Sequence, residues 1–176
     1  MTKHDDSSSQ AELQAAAVIA VRNFKHAINA EFEAAFIARV IKYDKKKHLA
    51  DLQPLVNLSD GQLRAQYLDV PVSYQCYILD EIFDRIKPDL AAVDFNSTIP
   101  AHPGAPAHHQ THFVDKLPKH RFMRPGIPVI AVTLDRDNDN WKGGRDASNF
   151  DPNTSRLHDA NDSIVVGILG SDAVYG

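Results

Sequence analysis

The sequence predicts a mainly β fold: a small antiparallel barrel that carries a long N-terminal α-helix and a short inserted helix. Three observations lead there. Apolar residues recur at three- and four-residue steps near the N-terminus, and five or six short β-branched segments follow. Turn-rich stretches separate those segments, with no regular alternation of strand and helix. Strands joined by short turns favour a closed antiparallel sheet over a doubly wound parallel one.

Residues 1–8 are polar and serine-rich, which predicts a disordered tail. Ser9 stands three residues before Glu12, the spacing of a capping box that opens a helix. Leu13, Ala17, Val21, Phe24, Ile28, Phe32 and Phe36 then share one side of a helical wheel, while Arg22, Lys25, Asn29 and Glu33 fall elsewhere. No Gly or Pro interrupts them, so a helix is expected over residues 9–35. Ahead of a small β domain such a helix packs either on its own domain or on another chain. The second reading makes Val21, Phe24, Ile28 and Phe32 inter-chain contacts.

The period then changes. Residues 36–43 and 48–56 predict a β-hairpin around the charged turn Asp44-Lys45-Lys46-Lys47, and Leu68-Asp69-Val70-Pro71-Val72 marks a third strand. Ile78, Ile82, Phe83 and Ile86 space like a short helix that Pro88 stops. Prolines and histidines interleave over residues 96–112, which reads as a loop. Strands are expected again at 111–117, 128–134 and 163–169, with a loose tail at 171–176. The domain expectation is thus a barrel over residues 36–170 with an insertion at about 74–123.

Composition narrows the function classes. The chain has 176 residues, 43% hydrophobic and 24% charged, and 23 acidic against 19 basic residues give a net charge of −4. That balance offers no electrostatic reason to bind nucleic acid. Cys76 is the one cysteine, so neither an intramolecular disulfide nor a cysteine-based zinc site can form. The longest apolar run, residues 15–21, falls far short of the roughly 20 residues of a membrane span, so no stable membrane insertion is expected.

The densest polar stretch is Asp135-Arg136-Asp137-Asn138-Asp139-Asn140-Trp141, followed by Gly143, Gly144 and Asp146. Asp135, Asp137, Asp139 and Asp146 fall at positions 1, 3, 5 and 12 of a calcium-loop pattern. Asn140 replaces its glycine, Asp146 its glutamate, and a β-like run precedes it, so an Asx-rich turn with Trp141 packed down is the better expectation. His108, His109 and His112 lie in a Pro/Gly-rich loop, a poor frame for a metal. His158-Asp159 near Ser155 and Ser163 lacks the strand–turn–helix elbow of a hydrolase. No phosphate-binding glycine loop is present. No catalytic residue, cofactor or metal is therefore assigned, and the chain is not expected to be an enzyme.

Three segments are similar, in order and spacing, to a known family. The first is Ala38-Arg39-Val40-Ile41-Lys42-Tyr43-Asp44 leading to Leu52-Gln53-Pro54-Leu55-Val56, and the second is Val70-Pro71-Val72. The third runs from Arg124-Pro125-Gly126 through Asp135-Arg136-Asp137-Asn138-Asp139-Asn140-Trp141 to Ser155-Arg156-Leu157-His158-Asp159-Ala160-Asn161-Asp162-Ser163-Ile164. Together they resemble the amino-terminal domain of phage contractile-tail central-spike proteins, the cell-puncturing or baseplate-assembly spikes, over roughly residues 36–170. The resemblance implies an OB-fold barrel and a homotrimer on the tail axis that closes the tail tube and couples it to the spike tip. Its partners would be copies of itself, the tail hub, the tail tube and tape-measure proteins, with a separate spike-tip protein as a further partner. It implies a place in the virion tail baseplate, reached from the host cytoplasm during assembly. Asp135, Arg136, Asp139, Trp141, His158, Asp159 and Asp162 would then hold turn geometry rather than perform catalysis.

The departures are specific. Residues 74–123 replace the family's short glycine-rich hairpin, and Ile127 stands where the family has an acidic residue. No His-x-His pair is present to ligate iron at a needle tip. The chain is expected to be an adaptor without a needle. The alternatives are an OB-fold binding module for oligosaccharide or nucleic acid, and a metal-binding structural protein.

Overall fold

The computed structural model describes residues 6–31, 34–58, 60–141 and 147–175. The element order is α1 (Asp6–Glu31), β1 (Ala35–Asp44), β2 (Leu49–Pro54), β3 (Tyr67–Pro71), α2 (Ile78–Val93), β4 (Pro128–Thr133), β5 (Ser163–Ile168) and α3 (Asp172–Tyr175). The five strands form one antiparallel sheet in the order β3-β2-β1-β4-β5. The sheet curls into a half-barrel. Past β3, Val72 forms a parallel bridge with Val165 of β5, and the Ser73 amide donates to the Val165 carbonyl at 2.9 Å.

Strand alternation builds the core. In β1, Phe36, Ala38 and Val40 point inward while Ile37, Arg39 and Ile41 face out, the two-residue period of a sheet with one buried side. Leu52 from β2, Val70 from β3, Val129 and Ala131 from β4 and Val165 from β5 complete the interior, with Met123 and Ile127. The register slips between Val40 and Lys42, where β1 carries a bulge against β2. A bulge bends its strand and helps a short sheet to curl. Gly126 supports the same corner: its φ of +92° suits glycine, and its amide donates to the Val40 carbonyl at 2.8 Å. Gln53 is buried, and its amide donates to the Arg64 carbonyl at 2.9 Å, which ties down the loop after β2.

The helix expected over residues 9–35 runs Asp6–Glu31. Residues 6–8, expected within a disordered tail, are helical. Asp and Ser there are residue types that suit the positive end of a helix. Phe36, the last step of the helical pattern, instead enters the sheet, where it pairs with Ala131. No side chain from residue 9 to residue 28 is buried.

The inserted helix is longer than expected. It passes through Pro88 to Val93, because both of its ends are anchored. At its start, Asp80 is buried and its carboxylate accepts from the Phe122 amide at 2.8 Å and the Met123 amide at 2.9 Å. Beside it, Arg121 pairs with Asp84. At its end, Asp94 accepts from the Phe113 amide at 2.8 Å and the Val114 amide at 3.1 Å. That second clamp also explains why the strand expected at 111–117 is absent: residues Val114–Lys116 form a 3-10 turn whose leading amides are held by the carboxylate. Asp80→Ala would leave the buried Met123 amide and the partly buried Phe122 amide without their acceptor, so it should destabilise the fold by about 3 kcal/mol in chemical denaturation. The residues expected as a loose C-terminal tail include α3, whose Ala173 carbonyl accepts from Arg124 at 2.6 Å and whose Val174 packs on the core.

Candidate functional site

The polar constellation seen in the sequence folds around the connection between β4 and β5. A backbone bridge joins Arg136 to Leu157 in antiparallel sense. That register places Asp137 opposite Arg156 and Asp135 opposite His158. The Asp135 carboxylate lies 3.4 Å from His158 Nε2, and the Asp137 carboxylate lies 3.5 Å from the Arg156 guanidinium.

Arg156 is the hub. One terminal nitrogen lies 2.9 Å from Asp162, 3.2 Å from Asp139 and 3.5 Å from Asp137. Asp137 is 0% exposed and Asp162 is 1% exposed, so two carboxylates sit in the interior with one guanidinium between them and the solvent. Backbone and hydroxyl donors complete the set. Thr154 Oγ1 donates to Asp137 at 2.6 Å, and the Asp139 amide donates to Asp137 at 2.9 Å. The Thr154 hydroxyl and the Asp139 amide hold the Asp137 carboxyl below the ordinary carboxylate range, and the Arg156 charge adds to this. Arg156 Nε and Asp162 Oδ2 are buried without a hydrogen-bond partner among the described residues.

The structure separates the candidate calcium ligands. Asp135 is exposed and turned toward His158 and Arg136, while Asp137 points inward; Asp146 lies outside the described residues. Asp137, Asp139 and Asp162 do bring carboxylate atoms within 4.8 Å of one another. The positive charge at that point is the Arg156 guanidinium. Their geometry is that of an ion-pair latch closing the β4–β5 loop.

The other motif residues take separate places. Asp159 accepts from the Asn161 amide at 2.9 Å, an Asx turn that starts the 3-10 turn leading into β5. Trp141, expected to pack down, is 51% exposed, although its amide donates to Asn138 at 2.9 Å in a turn. Residues 142–146, which follow it, lie outside the described residues. Ser163 is buried and donates to the Ala160 carbonyl at 2.6 Å, so Ser163, His158 and Asp159 do not form a catalytic triad. Among the described histidines of the loop, His112 pairs with Asp115 at 3.5 Å and His108 joins Ile99 in a backbone bridge. Val21, Phe24 and Ile28 are exposed on α1, whereas Phe32 lies outside the described residues.

Sequence reasoning misses Thr154 and Arg156 as site residues. The signal of Arg156 is visible once the two motifs are laid antiparallel, because it then stands opposite Asp137, whereas uncharged Thr154 leaves none. The acid sensitivity of the latch follows from Asp137. Its folded value lies below the unfolded one, near 3.9, so the stability it contributes is present above that value and is lost as pH falls through the folded value. The thermal midpoints of wild type and Asp137→Asn should differ at neutral pH and converge under strongly acidic conditions, as a pH series of melting curves would record.

No helix among the described residues is long and apolar enough to cross a membrane. No family model matches the chain, and no curated protein does.

Proposed function

We propose that the half-barrel is an OB-like barrel and that the chain is a trimeric, non-enzymatic central spike or hub adaptor of a phage tail baseplate. The observation that carries this reading is α1. It holds 26 residues, and Leu13, Val21, Phe24 and Ile28 along it are each at least half exposed. An unpartnered row of large apolar side chains marks an interaction surface rather than a solvated face.

Along α1 the row has an eleven-residue recurrence: Leu13 and Ala17 return as Phe24 and Ile28. Eleven residues in three turns keep one face aligned along a nearly straight helix, which suits packing about an axis shared by copies of the chain. The topology supports the barrel half of the reading. The third strand, carried on through Val72, meets the fifth in parallel, and the inserted helix lies between the third and fourth strands. The latch supports the adaptor half, since its polar groups are used in holding a loop. Tail hub, tail tube, tape-measure and spike-tip proteins are the partners this role requires.

The test is quantitative mass spectrometry of tail particles purified from the source of this chain. Three copies per particle are expected, with antibody labelling confined to the tail end. Absence from intact particles would overturn the role.

A further inference from the structure

The inserted helix α2 has an apolar side that its own chain leaves open. Leu79, Ile82, Phe83, Ile86, Leu90 and Val93 fall on a stripe about 100° wide, the width of a helix face that packs on protein. Phe83 leans toward Phe122, at 6.3 Å between ring centroids, and Leu90 is half-buried. Leu79, Ile82, Ile86 and Val93 are each between 38% and 54% exposed. We propose that α1 of a second copy of this chain covers that stripe. The inference rests on the reading that copies associate through α1, and it names a second surface on which they meet.

Surface area calls for a second contact. The chain exposes 13337 Å², whereas a compact monomer of its 19.5 kDa exposes about 8,500 Å². The surplus is several times the roughly 800 Å² that each partner gives to a standard interface. Four large side chains along α1 cannot absorb it.

The matching patch lies on α1 itself. Val18 and Ile19 are exposed and fall away from the row of Leu13, Val21, Phe24 and Ile28, on the far side of the helix with Ala15. With the row turned to the shared axis, this far side faces the neighbouring half-barrels. The charges agree with such a contact. Between Leu13 and Ile28, α1 carries Arg22 and Lys25 and no acid. On α2, Asp80 is held by the Phe122 and Met123 amides, Asp84 by Arg121, and Glu81 by Arg85, which leaves Asp89, at the border of the stripe, to meet them. Exposed ion pairs add little energy, so the apolar contact holds the helices and the charges select the partner. Two other occupants fit less well. A helix that seeks a membrane has a basic polar face, whereas α2 carries four acids against Arg85 and Lys87. Packing α2 on α2 is a twofold contact, which a threefold ring does not contain.

The lengths permit the reach. Chain α1 leads into β1 at Ala35, whereas α2 is fixed at the opposite end of that strand. There Glu81 lies 3.8 Å from His48 of the β1–β2 turn, and Tyr77, just before α2, stacks on the same ring at 3.9 Å. The ten residues of β1 extend about 33 Å, and the 26 residues of α1 about 39 Å. In its own chain α1 buries no side chain from residue 9 to residue 28. Laid along a neighbour, it spans from one end of the strand to α2.

Two measurements on the full chain test this contact. Ile82→Gln with Ile86→Gln keeps the charge and suits a helix, so circular dichroism should show the fold retained. The assembly should then dissociate at a concentration roughly tenfold higher than wild type. Chains bearing Val18→Cys are also co-expressed with chains bearing Ile82→Cys and treated with a short bismaleimide. Cys76 is buried, and wild type serves as the background. The two substitutions lie on different chains, so a linked peptide pair joining positions 18 and 82 reports α1 of one copy on α2 of another. That pair is expected, and it decides the matter even where the glutamine variant fails to fold. A wild-type trimer that gives no such link, or whose dissociation the folded glutamine variant leaves unaltered, overturns this contact and leaves the α1 row standing. A wild-type mass of one chain overturns both.

Discussion

Replacing Phe24 and Ile28 together by aspartate is expected to convert the assembled protein into folded monomers. Both side chains lie on the α1 face proposed to be shared between copies, at 68% and 50% exposure in the single chain. Burying a large apolar side chain contributes about 1.5–3 kcal/mol, so two such residues in each of three copies contribute roughly 10 kcal/mol or more. Aspartate removes that contribution and places like charges together about the axis. The half-barrel should survive, because neither residue belongs to its core. Arg22→Ala, on the opposite side of the helix, serves as the control and should leave the oligomer intact. Light scattering on the eluting species distinguishes these outcomes.

Arg156→Met is expected to give the largest loss of stability within the half-barrel. The substitution keeps much of the side chain's length and removes the one positive charge that, among the described residues, meets Asp137, Asp139 and Asp162. Two of those carboxylates are fully buried, and a buried charge stripped of its partner is strongly destabilising. In a chain of this size the thermal midpoint should fall by roughly 10 °C. The triple variant Arg156→Met, Asp137→Asn, Asp162→Asn should recover part of that loss, since it also removes the unpaired charges. A midpoint that Arg156→Met leaves unaltered would show that the guanidinium is a surface charge without structural effect.

How far each feature could be read from sequence depends on the range over which it is determined. The hairpin of β1 and β2 was legible because both strands and their charged turn are local, and the alternation of Phe36, Ala38 and Val40 needs no distant partner. The long helix was legible for the same reason, although its end was not. Phe36 fits the helical period and the strand period equally, and only its pairing across to Ala131 decides between them. The reach of α2 past Pro88 was illegible, because the carboxylates that anchor its two ends accept from amides on the segment leading back to β4. Local proline chemistry argues for a stop, and tertiary anchoring overrides it.

The candidate site divides similarly. Asp137 and Asp139 announced themselves as an acidic cluster, and the sequence could suggest a cation there without showing which. The cation is Arg156, supplied from 17 residues beyond Asp139. Trp141 misled in the other direction. Large aromatics are usually buried, whereas Trp141 is half exposed in a turn of the β4–β5 loop.

The most direct measurement is the absolute mass of the purified full chain, by light scattering across a dilution series in the micromolar range. Three times the 19.5 kDa of one chain is the expected mass, stable to dilution and lost in the Phe24→Asp, Ile28→Asp variant. A mass of one chain, with the α1 helix still formed by circular dichroism, would contradict the trimeric adaptor.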